Sequence, residues 1–266
     1  MRRDENYLRE LELWPLYELR PHLLPQAEPA TPAAAADVAT SRPSAPVSRA
    51  PVRVVVTKPA APVGDPLPPL DPARAARIAA LDWQGLAAEA ATCDACNLCK
   101  QRKQAVLGVG AVDAPWLFVG EGPGADEDAK GEPFVGQAGQ LLDAMLAAAG
   151  LQRGREVYIA NVVKCRPPGN RTPTLDEAAR CAPFLDRQID LIRPKLIVAL
   201  GKTAAIRLTG SEASMASLRG HRHEYRGTPV VATYHPAYLL RNLPDKLKAW
   251  EDLQFAHRLM ALSRQQ

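Results

Sequence analysis

Four short apolar runs, at 116–119, 157–163, 196–200 and 230–233, limit what this chain can fold into. Each ends in a polar or glycine-rich turn, and helical patterns fill the intervals. The first pattern carries Leu141, Leu142, Met145 and Leu146 and stops at Gly150, a residue suited to a left-handed helix end. The second opens at Thr174 with Glu177 three residues on, a capping-box spacing, and Pro183 is expected to kink or restart it. A third, shorter one starts near Thr203, and a last one over 245–262 places Trp250, Leu253, Ala256 and Leu259 at helical intervals. Strands alternating with helices predict an α/β fold, three layers (α/β/α) around a central, mainly parallel four-stranded sheet. In such a fold the turns at 120–139, 164–170, 201–203 and 234–241 share one sheet edge, where open α/β sheets place their ligands.

The folded part is expected to span 73–266, with helical periodicity over 72–91 (Ala75, Ile78, Leu81, Trp83, Leu86) opening it. Residues 24–72 are rich in Pro and Ala and contain no aromatic residue. That composition buries too little surface to offset chain entropy, and a disordered linker is expected. Residues 1–23 mix Tyr7, Leu8, Leu11, Trp14 and Leu19 with charges. They read as a short amphipathic segment, either packed on the domain or docking a protein partner. No apolar run approaches the ~20 residues of a membrane span, and Met1-Arg2-Arg3 leads into charge instead of a secretory apolar core. A cytoplasmic location is expected, in which the five cysteines are metal ligands or free thiols rather than disulfides. A net charge of +4 is compatible with a polyanionic partner.

The loop at 120–139 is dense in glycine and acid, with Glu121, Asp126, Glu127 and Asp128 around one aromatic, Phe134. Cys93 and Cys96 form a C-x-x-C ahead of the first strand, while Cys165 follows the second strand and Cys181 lies on the next helix. Two separated pairs point to a four-thiolate site, zinc or iron–sulfur, which spacing alone does not separate. Cys99 is the odd one out, although Cys96–Cys99 has the same spacing as Cys93–Cys96. Asn161 falls inside an apolar strand, so its amide must find a partner, either a loop backbone or a planar heterocycle. Lys164, Arg166 and Arg171 add charge suited to phosphates, and His235 stands at a strand end before a proline. His221 and His223 read as alternating positions on a solvent-facing hairpin strand, and Gly108-Val109-Gly110 fits no nucleotide fingerprint.

Taken together, G-E-G-P-G from Gly120, G-E-P-F-V-G-Q-A-G-Q-L-L from Gly131, N-V-V-K-C-R-P-P-G-N-R-T-P from Asn161 and H-P-A-Y-L-L-R from His235 resemble family 4 uracil-DNA glycosylases, the iron–sulfur type. The resemblance covers roughly 90–262. It implies a monofunctional, monomeric enzyme that hydrolyses the N-glycosidic bond of deoxyuridine in DNA and leaves an abasic site. It also implies a 4Fe–4S cluster on Cys93, Cys96, Cys165 and Cys181. Phe134 would stack on a flipped uracil, Asn161 would pair with its N3–H and O4, and His235 would stabilise charge at O2. Gly122 and Pro123 would bring backbone to the base. Glu127 is expected at the sugar or water and Glu121 in holding the loop, with Asn170 a further contributor. Lys164, Arg166 and Arg171 are expected on DNA phosphates, and Leu239, Leu240 and Arg241 as a wedge into the base stack. The alternative is a non-catalytic nucleic-acid-binding or polymerase-associated module on the same fold.

Overall fold

A computed structural model describes residues 71–262; the segment expected at 1–23 and nearly all of the linker expected at 24–72 lie outside the described residues. The first helix, Pro72–Ala79, starts where Asp71 accepts the Ala73 N–H at 2.9 Å and Pro72 occupies the first turn. The periodicity over 72–91 resolves into two helices instead of one. Asp82 accepts the Gly85 N–H at 2.7 Å and so caps a new helix, Trp83–Thr92, a use of Asp that outcompetes an interior helical position.

The sheet has six strands: β1 (Val109–Gly110), β2 (Trp116–Gly120), β3 (Val157–Asn161), β4 (Leu196–Leu200), β5 (His223–Tyr225) and β6 (Thr228–Thr233), in the order β1-β3-β2-β4-β6-β5. The four expected strands are all parallel and central. The two additional strands pair antiparallel at the edges. They are two and three residues long; β1 is too short to show an alternation in the sequence, whereas β5 falls in the stretch read as a hairpin strand. β5 and β6 form the expected hairpin through Arg226 and Gly227, both at positive φ. Only His223 lies on it; His221 precedes it in the turn.

Successive residues of each central strand serve opposite cores. Leu117, Val119, Ala160, Ile197, Ala199 and Ala232 face Ile78, Leu86, Phe184 and Leu185 on one side. Trp116, Phe118, Ile159, Val198 and Val231 face Leu142, Met145, Leu253 and Ala256 on the other. Burial on both faces is why these strands read as continuous apolar runs. The helix Leu175–Ile192 begins at the expected capping box, with Glu177 N–H to Thr174 Oγ1 at 3.2 Å and Thr174 N–H to Glu177 at 2.8 Å. It runs unbroken through Pro183. Phe184 and Leu185 are buried immediately after the proline, and this packing offsets the single backbone bond it removes.

Candidate active site

The sheet order turns at β2: the chain crosses to β3 on one side and later to β4 on the other. Ligands collect at such a switch point, beyond the carboxyl ends of the strands. Here the residues after β2, β3, β4 and β6 enclose one cavity of about 630 Å³, a size typical of small-molecule and nucleotide sites.

Asn161 is the last residue of β3, in register with Gly120 of β2. It is 2 % exposed, and its side-chain oxygen has no hydrogen-bond partner. A Cβ on Gly120 would stand 2.5 Å from that oxygen and 2.6 Å from Cζ of Phe134. Gly120 is therefore the gap across which the amide and the aromatic edge approach each other. Phe134 holds φ at 55°, a strained value for a bulky residue that surrounding contacts must impose. Arg153 imposes it by donating to the Pro133 and Phe134 carbonyls at 2.9 Å each. Gly139 assists, since a Cβ there would sit 1.9 Å from the Phe134 oxygen.

His235 lies against Phe134, ring centroids 5.5 Å apart and planes 29° from parallel. It caps the short helix Pro236–Leu239, its Nδ1 accepting the Ala237 N–H at 3.1 Å. That bond leaves the proton of a neutral imidazole on Nε2. Burial, with Arg241 nearby, pushes the ring down to about 4, against an opposing pull from Glu127. The imidazole is thus a neutral donor at physiological pH.

The two glutamates both line the cavity but are held differently. Glu127 accepts from Gly124 N–H at 3.0 Å with one oxygen, and from Val135 N–H at 2.9 Å and Gly136 N–H at 3.2 Å with the other. It closes the loop on itself. Glu121 lines the cavity and accepts the Thr203 hydroxyl through one oxygen. Gly122 and Pro123 line the same wall, and a Cβ on Gly122 would meet Val163 at 2.7 Å. Asn170 reaches the rim at positive φ, its oxygen accepting from Arg166 Nε at 2.7 Å.

Several expected contacts are corrected. Lys164 is 1 % exposed, with Nζ bonded to the Asn161 carbonyl at 2.8 Å and Gln188 Oε1 at 2.5 Å, and does not reach a phosphate. Leu239 is 0 % exposed and belongs to the core, so it is no wedge, whereas Leu240 is 39 % exposed. Arg171 makes a two-pronged pair with Glu177, at 2.8 and 2.7 Å, yet remains on the rim. The rim cations are Arg171, Arg241 and Lys202. Lys202 was not singled out from sequence, although the turn at 201–203 was placed at this edge, since G-K-T alone matches no binding motif.

A second, small cavity is lined by all five cysteines together with Arg102, Lys164 and Arg180. Three of the sulfurs accept hydrogen bonds: Cys165 from Arg102 at 2.9 Å, Cys93 from Arg74 at 3.2 Å and Cys181 from the Lys164 backbone N–H at 3.2 Å. Burial pushes the Cys96 thiol up to about 11 and Cys181 up to about 12. A bare thiolate is disfavoured here, and only a bound cation would make the set anionic. Among the described residues no three His, Cys, Asp or Glu side chains converge as ligands of a single ion. Thiols gathered around one cavity, with cationic donors behind them, are a donor set of the kind that holds a metal centre.

A doubly wound α/β domain with an unsatisfied amide facing an aromatic ring, a neutral imidazole and a cationic rim defines a protein that binds a planar polar ring attached to a polyanion. Residues 107–254 match the family model described as the uracil DNA glycosylase superfamily. The type-4 uracil-DNA glycosylase of Thermotoga maritima is 48 % identical over 159 residues, 58 % of this chain and 82 % of the relative. That of Archaeoglobus fulgidus is 49 % identical over 143 residues, 51 % and 71 % of the two chains. A DNA polymerase of Bacillus phage SP01 is 31 % identical over 134 residues, half of this chain but 14 % of the polymerase. The chain belongs to the uracil-DNA glycosylase superfamily and, within it, to the type-4 enzymes. Among the described residues no helix is long and apolar enough to cross a membrane.

Proposed function

We propose that this enzyme works on DNA in the cytoplasm, releasing uracil and leaving an abasic site, and that the unsatisfied Asn161 oxygen beside Phe134 is the reading head for the base. The scissile bond is out of reach inside a duplex, so the deoxyuridine is flipped into the cavity. Uracil lies on Phe134, a stacking contact worth about 1–3 kcal/mol. Its N3–H satisfies Asn161 Oδ1, an acceptor otherwise left at a cost of about 1–3 kcal/mol. As the bond from C1′ to N1 breaks, its electron pair moves onto the uracil. His235 Nε2–H donates to O2, where that charge accumulates, while Nδ1 accepts the Ala237 N–H and fixes the tautomer. Water adds to C1′ and its proton leaves to solvent. We assign Glu121 to face the developing sugar cation or the water, because the oxygens of Glu127 are committed to three backbone N–H groups. Arg171, Arg241 and Lys202 are suited to the flanking phosphates, and Leu240 to the vacated stack.

The donor set fits a 4Fe–4S cluster on Cys93, Cys96, Cys165 and Cys181, which when bound supplies a covalent staple between the entry helices and the segment after β3. A non-catalytic module on this fold, which the partial likeness to a phage polymerase brings to mind, has no use for an orphan acceptor, a stacking plate and a neutral imidazole around one space. The test is uracil release from a deoxyuridine oligonucleotide by full-length protein purified without oxygen. Release of uracil, with cytosine and thymine left in place, is expected; no release by brown, folded protein overturns the reading.

A further inference from the structure

We infer that Lys164 is a positioning residue for uracil recognition: its buried side chain fixes the peptide that carries the Asn161 amide and ties that peptide to the cysteine cavity. The inference rests on the reading that Asn161 recognises the base. It is carried by the bonds around one peptide group. The carbonyl of Asn161 accepts from Lys164 Nζ at 2.8 Å, and the N–H of the same peptide, on Val162, donates to Gly120 O at 2.9 Å. Held at both ends, the plane cannot rotate, and the direction of the Asn161 side chain is set with it. Gly120 is also the residue whose missing Cβ makes room for Asn161 Oδ1.

The second acceptor of the ammonium is equally constrained. Gln188 is 0 % exposed and donates through Nε2 to the Leu107 carbonyl at 2.9 Å and the Tyr158 hydroxyl at 3.3 Å. With both donor directions used, its oxygen faces Lys164. A buried ammonium with only neutral partners costs several kcal/mol unless negative charge lies close. Lys164 lines the cysteine cavity, where a thiolate-ligated metal centre, when bound, would supply that charge. Its own backbone completes the link: its N–H donates to Cys181 Sγ at 3.2 Å, its carbonyl accepts from Val106 N–H at 2.8 Å, and the next residue is Cys165. One residue thus joins the cavity wall, the helix Leu175–Ile192 and the end of β3.

The experiment compares full-length, oxygen-free preparations of wild type, Lys164→Met, Lys164→Gln and Gln188→Met. The readouts are iron content, visible absorbance, kcat and KM on a deoxyuridine oligonucleotide, and inhibition by free uracil. Displacing a recognition group by about 1 Å costs about a hundredfold. Lys164→Met is expected to lose that much in kcat/KM and to be inhibited by uracil about tenfold more weakly, at wild-type iron content. Lys164→Gln, which keeps a donor for the Asn161 carbonyl, is expected to recover part of both. Gln188→Met is expected to shift both in the same direction by less. Wild-type uracil inhibition in iron-loaded Lys164→Met overturns the inference. So does a loss of activity that follows iron loss alone. If Lys164→Met does not fold, unchanged uracil inhibition in Gln188→Met overturns it. Asn161→Leu, which removes the acceptor, is the control: unchanged uracil inhibition there refutes the Asn161 reading itself, separately from the role of Lys164.

Discussion

The base cavity and the cysteine cavity stand at the same edge of the sheet and share the segment 161–165, yet they are assembled differently. The base cavity is built on strand ends, with Gly120, Asn161, Leu200 and the residues after Thr233 held in a common register. Phe134, Asn161 and His235 bring neutral groups to it, its cations stand at the rim, and Glu121 lines its wall. The cysteine cavity draws its thiols from a helix end, a 3₁₀ turn, a loop and the helix Leu175–Ile192, and its charges, Arg74, Arg102 and Lys164, are turned inward onto sulfur or the cavity wall. The contrast separates two ways of fixing geometry. A hydrogen-bonded sheet needs only a few side-chain braces, such as Arg153, to position its groups, whereas segments without such a frame depend on cross-links between them.

Breaking the cysteine cavity should have the largest effect. Cys181→Ala is expected to lose the iron chromophore and to lower the melting temperature by roughly 10 °C or more, since metal-site binding energy is folding energy. Activity should fall with it, as both cavities share 161–165. Unchanged melting in colourless protein would show that the staple is dispensable. His235→Ala should sharpen the contrast by leaving colour intact while kcat falls about 10²–10³-fold, the usual cost of one donor at developing charge. Gly120→Ala comes next. A Cβ pressed between Asn161 and Phe134 is expected to cost about 1–3 kcal/mol of stability, as overpacking does, and to raise KM with colour unaffected. Leu239→Ala should destabilise by about 2–5 kcal/mol as a core truncation, whereas Leu240→Ala should leave stability alone and lower kcat/KM on duplex DNA. Equal stability losses would contradict their assigned faces.

The smallest effect is that of pH. His235 is held at about 4 in the folded chain against an ordinary value of 6.5. Between these values the unfolded chain binds a proton that the folded chain does not, so the contribution present above pH 6.5 is lost as pH falls toward 4. Urea denaturation across that window should show the decline, and His235→Ala should flatten it. The rate profile should show no histidine inflection near pH 6.5.

The four central strands were legible because each is buried on both faces and so appears as an unbroken apolar run. Asn161 and His235 could be placed at this edge because they stand at strand ends, and Phe134 because its loop follows β2; all three line the cavity. What the sequence obscured was direction. Leu239 and Leu240 are adjacent and alike, and only the single turn of helix capped by His235 decides which one enters the core. Lys164 resembles its neighbours Arg166 and Arg171 in charge, but the bend after β3 turns it inward. Glu127 turns into its own loop because that loop curls back far enough for Val135 and Gly136 to reach it. Arg153 lies about twenty positions beyond the aromatic residue it restrains, and no periodicity or motif marks it.

That grip of Arg153 on two successive carbonyls bears on how encounters with DNA proceed. A shelf already fixed before the nucleotide swings out loses no further freedom when the ring lands on it, so the free energy of contact is available for extrusion rather than for ordering the receptor. Searching along a genome then becomes a series of brief trials against a rigid template. On the proposed reading, the dwell at each site is set by how well the extruded ring fits that template.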